Sequence, residues 1–270
     1  MEIKFGTSGW RAVIADTFTF ENIRLVTQAI ADHIAARGER ERGIIVGYDT
    51  RFLSRNFAEE ATRVLLGNGI PVWLSLRDTP TPVLSWEILR KKCAGAINFT
   101  ASHNPPHYNG IKFSPAWGGP ALPETTRDIE VRANAYLRER TGVKTRAIEE
   151  ARGEGLLRDL DPRDDYLAAL AEKIDVAAIR AAKLRILVNP IFGTGRGYLD
   201  TALERAGCTV ATMNMNPDPT FGGISPEPSE AELEPMKARV AREGFDLGLA
   251  TDGDADRFGI IDAGGYFIEP

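Results

Sequence analysis

Short apolar runs alternate along this chain with segments in which apolar residues recur every three or four positions. This alternation predicts an α/β fold. Short runs rich in β-branched residues, such as 43–47, 95–99 and 184–188, predict buried strands. Between these runs, apolar residues often recur every three or four positions, which predicts amphipathic helices. Because strands that alternate with helices are typical of βαβ units, we expect doubly wound, mixed or mainly parallel sheets with helices on both faces.

The predicted elements fall into two successive modules. In the first module, we expect helices over 20–37, 56–66 and 83–91 and strands over 43–47, 71–74 and 95–99. In the second, we expect helices over 164–173, 195–206 and 229–243 and strands over 184–188, 208–213 and 246–250. The segment 147–163 is charged and contains glycines without a long apolar period, which is typical of a linker. We therefore predict two domains, 1–150 and 151–270.

The composition excludes several classes of protein. Of 270 residues, 43% are hydrophobic and 26% charged, as in ordinary globular domains, so wholesale disorder and collagen-like repetition are excluded. Lysine and arginine total 33 against 38 acidic residues, which gives a net charge of −5. This balance provides no global positive field for nucleic acid or an anionic membrane, so any anionic ligand must be bound locally.

Single residues and the N-terminal segment add a few expectations. Cys93 and Cys208 are predicted to be buried free thiols, because the sequence has no cysteine and histidine cluster that would hold zinc. His33 is expected to be structural and to lie on the polar face of the first helix. No apolar run approaches the ~20 residues of a membrane span, and no secretion signal opens the sequence, so we expect a cytoplasmic protein.

The loop after the predicted strand 95–99 presents a serine beside a histidine. Ser102 and His103 are followed by Pro105 and Pro106, whose fixed φ angles stiffen the loop, so we expect Ser102 on a rigid, exposed turn. Such a serine can be a nucleophile for acyl or phosphoryl transfer. It can equally be a serine that only caps a turn. The Gly-x-Ser-x-Gly pattern of a hydrolase nucleophile is absent from this loop.

A second loop, 251–257, carries three aspartates that follow another predicted strand. Asp252, Asp254 and Asp256 are two residues apart, so they diverge on a helix but can converge in a curled loop. Three carboxylates so close together need a hard cation, and their oxygens suit Mg²⁺. Two alternatives remain open. One is a solvated acidic turn, and the other is a phosphatase of the haloacid-dehalogenase type with Asp252 as its nucleophile.

Two glycine-rich segments give weaker signals. Residues 5–11 combine glycines with Thr7, Ser8 and Arg11, which together can form a cradle for a phosphate group. Residues 193–197 invite the same interpretation. However, they lack both the third glycine of a dinucleotide-binding loop and the lysine of a P-loop, so we expect a tight start to a helix there.

Five motifs, in this order, resemble the α-D-phosphohexomutase superfamily, which includes phosphoglucomutase and phosphomannomutase. They are FGTSGWRA at 5–12, GYDTR at 47–51, TASHNPPHYNGIKF at 100–113, DPTFGGISPEP at 218–228 and TDGDADRFG at 251–259. The resemblance implies an enzyme that moves a phosphoryl group between O1 and O6 of a hexose phosphate. In this reaction a phosphoserine donates its phosphoryl group, and a hexose 1,6-bisphosphate is the intermediate and activator.

The resemblance also assigns roles to particular residues. Ser102 matches the phosphoserine, and the magnesium ligands are an oxygen of that phosphoserine and the side chains of Asp252, Asp254 and Asp256. Arg11, His103 and Lys112 are expected near the transferring phosphoryl group, with Lys112 as general acid and base. Thr7, Ser8 and Arg257 are expected to bind phosphate. Asp49 and Arg51 are expected to support the site. A surface lysine remains the alternative for Lys112.

The family has four domains over a longer chain, whereas this sequence ends at Pro270. We therefore expect domains III and IV to be absent and the chain to be an incomplete, poorly active portion of a mutase. A second hypothesis is a binding piece that docks onto a separately encoded C-terminal half, and a homo-oligomer is a further expectation. The resemblance leaves glucose and mannose both open as the hexose.

Overall fold

The computed structural model describes residues 2–6, 9–140 and 142–269, and the chain folds into two compact units. The first unit comprises Met1–Thr79, Val83–Ala101 and His107–Asp161. The second comprises Pro80–Pro82, Ser102–Pro106 and Pro162–Pro270, so it includes two short segments from the first half of the sequence. The main division therefore falls after Asp161, later than the division predicted after residue 150.

The first unit is built on one mixed sheet. Its strands are β1 (Trp10–Val13), β2 (Ile44–Tyr48), β3 (Val72–Ser75), β4 (Gly95–Phe99), β5 (Tyr108–Pro115) and β6 (Leu157–Leu160). The helices that accompany them are α1 (Phe20–Ala36), α2 (Ser54–Gly67), α3 (Thr81–Lys91), α4 (Pro123–Glu139) and α5 (Ile148–Gly153). Among the described residues, the strand order is β1-β5-β4-β2-β3-β6. Strands β4, β2, β3 and β6 are parallel, whereas β1 and β5 pair antiparallel.

Helices cover both faces of this sheet, as predicted. Ile44 and Val46 of β2 lie in the core that also contains buried residues of α1, α2 and α4. Ile45 points to the opposite face, where it packs in a second core with Leu84 and Ile88 of α3. Because both faces are covered, all of β2 is buried, and the strand therefore appears in the sequence as a short apolar run.

The segment 147–163 is not the linker that its composition predicts. It contains α5 and β6, and β6 extends the sheet by pairing parallel to β3. Leu157 and Leu160 of β6 are buried, whereas Arg158 and Asp159 between them are exposed. This edge strand therefore lacks the period-two alternation that identifies a half-buried strand, and its charged sequence resembles that of a linker.

Two predictions about single residues are wrong. His33 does not lie on a polar face, because α1 packs against both α2 and α4. The residue is 8% exposed, and its Nδ1 lies 2.7 Å from Oδ2 of Asp128 on α4. Cys93 is buried as predicted, and burial raises the pKa of its thiol to about 11. Cys208, in contrast, is half-buried.

The second unit contains a smaller mixed sheet. Its strands are β7 (Arg185–Asn189), β8 (Thr209–Thr212), β9 (Leu247–Thr251), β10 (Phe258–Asp262) and β11 (Phe267–Ile268). The helices are α6 (Arg163–Ala171), α7 (Val176–Ala182), α8 (Leu199–Ala206) and α9 (Glu234–Glu243). Among the described residues, the strand order is β11-β10-β9-β7-β8, with β9, β7 and β8 parallel. Leu187 of β7 packs with Met236 and Val240 of α9.

Helices α8 and α9 begin later than predicted. Helix α8 begins at Leu199 rather than at residue 195, because the glycine-rich turn before it contains Gly197 with φ +74°. Helix α9 begins at Glu234 rather than at residue 229 and has a proline in its first turn, where the missing N–H is tolerated. In the described part of the chain, no helix has the length and apolar character needed to cross a membrane.

Candidate active site

Ser102 lies in the loop that follows β4, in a strained backbone conformation. Its φ is +52°, in the left-handed region that non-glycine residues rarely adopt. The residue is 3% exposed, so the turn is not exposed as predicted but is covered by the second unit, to which it belongs. Its hydroxyl Oγ donates a hydrogen bond of 3.0 Å to Oδ2 of Asp252. The loop therefore holds this hydroxyl in one defined position.

The backbone of His103 is held by a hydrogen bond to its carbonyl oxygen. Its carbonyl oxygen accepts a hydrogen bond of 2.7 Å from Oγ of Ser225, which belongs to the motif at 218–228. The imidazole Nδ1 lies 3.4 Å from Oγ of Ser102, which is longer than an ordinary hydrogen bond between these atoms. His103 therefore adjoins the serine without a strong hydrogen bond to it.

The three aspartates of the loop after β9 converge. Each of Asp252, Asp254 and Asp256 offers a carboxylate oxygen, and these oxygens lie within 4.8 Å of one another. Asp252 and Asp254 are fully buried, whereas Asp256 is exposed. The loop curls through Ala255, whose φ is +56°, and Gly253 lies against the carbonyl oxygen of Ser102. The small residues between the aspartates thus permit the close backbone packing that the loop requires.

Both carboxylate oxygens of Asp252 are held by hydrogen bonds. Its Oδ1 accepts hydrogen bonds of 3.0 Å from the backbone N–H groups of both Asp256 and Arg257, and its Oδ2 accepts from Ser102. Burial, together with repulsion from the carboxylates of Asp254 and Asp256, raises the pKa of Asp252 to about 8. The three carboxylates therefore repel one another. Their all-oxygen donors suit a hard divalent cation such as Mg²⁺.

Arg257 places a cation beside the same carboxylate. Its Nη1 donates to Oε1 of Glu227 at 2.7 Å, and its Nε lies 3.6 Å from Oδ2 of Asp252. In the described part of the chain, the buried Nη2 of Arg257 has no hydrogen-bond partner. A buried donor without a partner is costly, so this nitrogen is suited to an anionic oxygen at the site. Ser102 and Arg257 thus approach the same oxygen atom of Asp252.

Two further segments hold the acidic loop, and neither was identified as functional from the sequence. Thr81 contacts Asp254 through both its side chain and its backbone. The turn 193–197 also contacts the loop, because the N–H of Thr194 donates to the carbonyl oxygen of Gly253 at 3.1 Å. A Cβ added to Gly193 would lie 2.7 Å from that oxygen, so only glycine fits there. The glycine spacing of this turn predicts a tight helix start, and it is also the sequence feature that could indicate close packing against the acidic loop.

Asp49 and Arg51 form a fully buried ion pair in the first unit. Arg51 Nε lies 3.1 Å from Oδ2 of Asp49, and both side chains are 0% exposed. Asp49 Oδ1 accepts from the N–H of Arg51 at 2.9 Å and from Oγ of Ser54 at 2.7 Å. Burial raises the pKa of Asp49, while Arg51, Ser54 and Thr100 act to lower it. These contacts indicate a structural task for the pair.

This buried network connects the two ends of the segment that carries Ser102. Thr100, which hydrogen-bonds Asp49, precedes the segment. After the segment, Asn109 donates to Oγ of Ser54 at 2.9 Å, and the carbonyl oxygen of Tyr108 accepts from Arg51 Nη1 at 3.0 Å. The network therefore fixes the base of the loop on both sides. Ser54 and Asn109 were not identified from the sequence.

The remaining predicted residues lie on two adjacent strands of the first unit. Arg11 in β1 is paired with Gly110 of β5, and Lys112 lies two residues further along β5. Side chains two residues apart share a face, so Arg11 and Lys112 project from the same face of the sheet. Lys112 is 8% exposed, so the alternative of a surface lysine is wrong. Thr7 and Ser8 lie outside the described residues.

Comparisons with known proteins agree with these motifs. Residues 2–140 match the family phosphoglucomutase/phosphomannomutase, α/β/α domain I, and residues 164–265 match α/β/α domain II. A candidate phosphoglucosamine mutase from Methanothermobacter thermautotrophicus is 34% identical over 263 residues, which are 97% of this chain and 55% of that protein. A phosphoglucomutase/phosphomannomutase from Thermococcus kodakarensis is 31% identical over 265 residues, which are 98% of this chain and 56% of that protein.

A solved structure is similar along the whole chain. The crystal structure of a candidate phosphomannomutase from Thermus thermophilus has a TM-score of 0.88 and 36% sequence identity, and the match covers 100% of this chain and 59% of that one. The chain spans about half the length of the curated relatives it matches.

Proposed function

Because the chain belongs to the α-D-phosphohexomutase superfamily of phosphoglucomutases and phosphomannomutases, we propose that Ser102 carries the phosphoryl group of a phosphohexomutase reaction. In this reaction the group moves between O1 and O6 of a hexose phosphate, with a hexose 1,6-bisphosphate as intermediate and activator. The observation that supports the proposal best is the contact of 3.0 Å between the buried Ser102 hydroxyl and the acidic cluster at Asp252.

The arrangement suits phosphoryl transfer, which depends mainly on positioning and on neutralising charge. When a divalent cation is bound by Asp252, Asp254 and Asp256, it supplies positive charge to the phosphoryl oxygens. Ser102 Oγ is held by its strained loop and by Asp252 Oδ2, so its direction of approach is restricted. The buried Nη2 of Arg257 offers a hydrogen bond to an oxygen of the same phosphoryl group.

Proton transfer to and from the sugar hydroxyl also needs a group on the protein. We keep Lys112 as the general acid and base, with Arg11 and His103 as further cationic groups around the phosphate. Thr7 and Ser8 stay predictions as phosphate-binding residues. Asp49 and Arg51 are proposed as supporting residues, and their full burial agrees with a role that does not contact substrate.

The phosphatase alternative, with Asp252 as nucleophile, is less well supported. Oδ1 of Asp252 accepts two backbone hydrogen bonds, and Oδ2 accepts one from the hydroxyl of Ser102. A nucleophile must instead reach the phosphorus atom of its substrate. The carboxylate therefore serves better as a ligand and as an acceptor for the loop than as an attacking group.

The similar proteins are named as a phosphoglucosamine mutase and as a phosphoglucomutase/phosphomannomutase, so their names point to more than one hexose. We propose a hexose phosphate as the substrate class. A cytoplasmic location and association with a second chain or a second copy stay predictions from the sequence.

Phosphorylation of Ser102 tests the proposal directly. The 270-residue chain is incubated with glucose 1,6-bisphosphate and Mg²⁺, and its intact mass is measured before and after. We expect a gain of one phosphoryl group that peptide fragmentation assigns to Ser102. The gain should disappear in Ser102→Ala and persist in the matched control Ser85→Ala, a change within α3.

Two outcomes would count against the proposal. Labelling that persists in Ser102→Ala, or that maps to Asp252, would favour the phosphatase alternative. In that case Ser102→Ala would also leave the release of inorganic phosphate intact. Parallel incubations with the 1-phosphates of glucose, mannose and glucosamine, using chain that has been phosphorylated beforehand, identify the hexose from the rate at which each removes the phosphoryl group.

A further inference from the structure

Thr81 is attached to Asp254 by two separate hydrogen bonds. Its hydroxyl Oγ1 donates to Oδ2 of Asp254 at 2.6 Å, and its backbone N–H donates to the carbonyl oxygen of the same residue at 2.9 Å. The two residues are 173 positions apart in the sequence, and both belong to the second compact unit. The short distance to the carboxylate is typical of a charge-assisted hydrogen bond.

The surroundings of Thr81 make it a stiff donor. It lies between Pro80 and Pro82, whose rings hold their own φ angles near about −65°. Thr81 also has a β-branched side chain, which restricts its χ1 angle. Little conformational entropy therefore remains to be lost when its hydroxyl is directed at one carboxylate oxygen.

The carboxylate that Thr81 holds is a buried member of the acidic cluster. Asp254 is fully buried, and its carboxylate lies within 4.8 Å of those of Asp252 and Asp256. Asp252 is oriented differently, by two backbone N–H groups and by Ser102. A cation site with fixed geometry needs each carboxylate held in place, and groups that hydrogen-bond to ligands contribute to affinity.

We propose that Thr81 is a positioning residue for cation binding: it fixes the plane of the Asp254 carboxylate so that the three aspartates bind a divalent cation with one geometry. The proposal rests on the cation site of the proposed function. Thr81 contacts no reacting atom in this scheme and acts through Asp254. The proline-flanked segment 80–82 thereby becomes part of the cation site.

Cation binding itself is the measurement. We expect Thr81→Val, which keeps the shape of the side chain but removes its hydroxyl, to raise the dissociation constant for Mn²⁺ by about 10- to 100-fold in calorimetric titration of the full chain. Thr81→Ser restores the donor and should bind Mn²⁺ within about threefold of the natural chain, well short of the loss expected for Thr81→Val. A merely structural role for Thr81 would lower the stability of Thr81→Val without raising its dissociation constant for Mn²⁺.

The matched control is Thr62→Val, since Thr62 is also fully buried and donates to the carbonyl oxygen of Ala58 at 2.8 Å in α2. It should lose stability and keep its affinity for Mn²⁺. Natural affinity in Thr81→Val, in a variant that circular dichroism shows to be folded, would overturn the positioning role alone. Failure of the natural chain to bind Mn²⁺, or unchanged binding in Asp254→Asn, would instead overturn the cation site on which the proposal rests.

Discussion

Ser102 Oγ and Asp252 Oδ2 lie 3.0 Å apart, although 150 positions separate the two residues in the sequence. A phosphoryl group on Ser102 would therefore be placed directly against a carboxylate that already has two acidic neighbours. Phosphate carries about −1.5 to −2 charge at neutral pH, so repulsion at this contact would be strong unless a cation were bound. The contact thus connects the phosphorylation state of Ser102 to the occupancy of the acidic cluster.

The first prediction concerns this connection. We expect Mg²⁺ to raise the melting temperature of the phosphorylated chain more than that of the unphosphorylated chain, by at least about 2 °C. The reason is that the phosphate adds both a ligand oxygen and a charge that needs neutralising. Thermal melts of the two forms, with Mg²⁺ and with EDTA, measure the difference.

Ser102→Ala is the control for this comparison. It cannot accept the phosphoryl group, so treatment with glucose 1,6-bisphosphate should leave its Mg²⁺-dependent shift unchanged. Equal shifts in the phosphorylated and unphosphorylated natural chain would contradict the connection between the two sites.

The second prediction is that Asp254→Asn makes the metal-free chain more stable. The substitution keeps an oxygen that can accept from Thr81 and removes one of the charges that repel each other in the buried cluster. We expect a gain of about 1–2 kcal/mol in the free energy of unfolding, measured with denaturant in EDTA. The stabilisation by Mg²⁺ should be lost in the same variant, since a ligand is lost.

Asp256→Asn is the matched control, because Asp256 is the exposed member of the cluster. Water screens its charge, so its removal should change the metal-free stability by less than about 0.5 kcal/mol. A loss of stability in metal-free Asp254→Asn would show that the buried carboxylate is stabilised by the fold rather than strained by its neighbours.

Six strands were predicted from the sequence, and three of them, β2, β4 and β7, are buried along nearly their whole length. The runs 43–47, 95–99 and 184–188 correspond to β2, β4 and β7, because burial on both faces leaves a short apolar run in the sequence. Strand β5 did not stand out as a whole. It contains Asn109 and Lys112, whose polar side chains interrupt the apolar pattern, and Asn109 is hydrogen-bonded in the buried network around Asp49.

The residues of the candidate site also divide into those that the sequence indicates and those that it does not. The aspartates of 251–257 were recognisable because their spacing within one loop is itself the signal. Thr81 was not recognisable, because its contact with Asp254 depends on tertiary structure and a threonine between prolines is also common in ordinary turns. The left-handed backbone of Ser102 and its burial were likewise outside what local sequence predicts, since packing imposes both.

The third prediction concerns the buried ion pair of the first unit. Asp49→Asn removes the carboxylate charge that the buried guanidinium of Arg51 contacts, so we expect a loss of about 3–5 kcal/mol in the free energy of unfolding. Denaturant titration measures this loss. Glu59→Gln breaks the exposed pair with Arg55 and serves as the control, with an expected change below about 0.5 kcal/mol.

If Asp49→Asn changed the free energy of unfolding as little as the control does, the buried ion pair would contribute no more to stability than a surface ion pair. In that event the neutral hydrogen bonds from Ser54 and Thr100 would be sufficient to hold the base of the Ser102 loop. Labelling of Ser102 by the bisphosphate in the same variant reports whether the loop keeps its geometry.

The fourth prediction is a pH dependence at Asp128. Partial burial acts to raise the pKa of Asp128, but hydrogen bonds from Arg132 and His33 outweigh it, and the pKa is lowered. An aspartate with a lowered pKa in the fold stabilises the fold at pH values above its pKa in the unfolded chain, which is about 3.9. This stabilisation is lost as the pH falls through the pKa of Asp128 in the folded chain.

Asp128→Asn should therefore cost about 0.5 kcal/mol of the free energy of unfolding at about pH 6, since the carboxylate is partly exposed, and less at about pH 3. Denaturant unfolding at both pH values measures the difference, and Arg132→Gln should reduce the same dependence. An equal cost of Asp128→Asn at both pH values would mean that the side chain stabilises the fold without titrating.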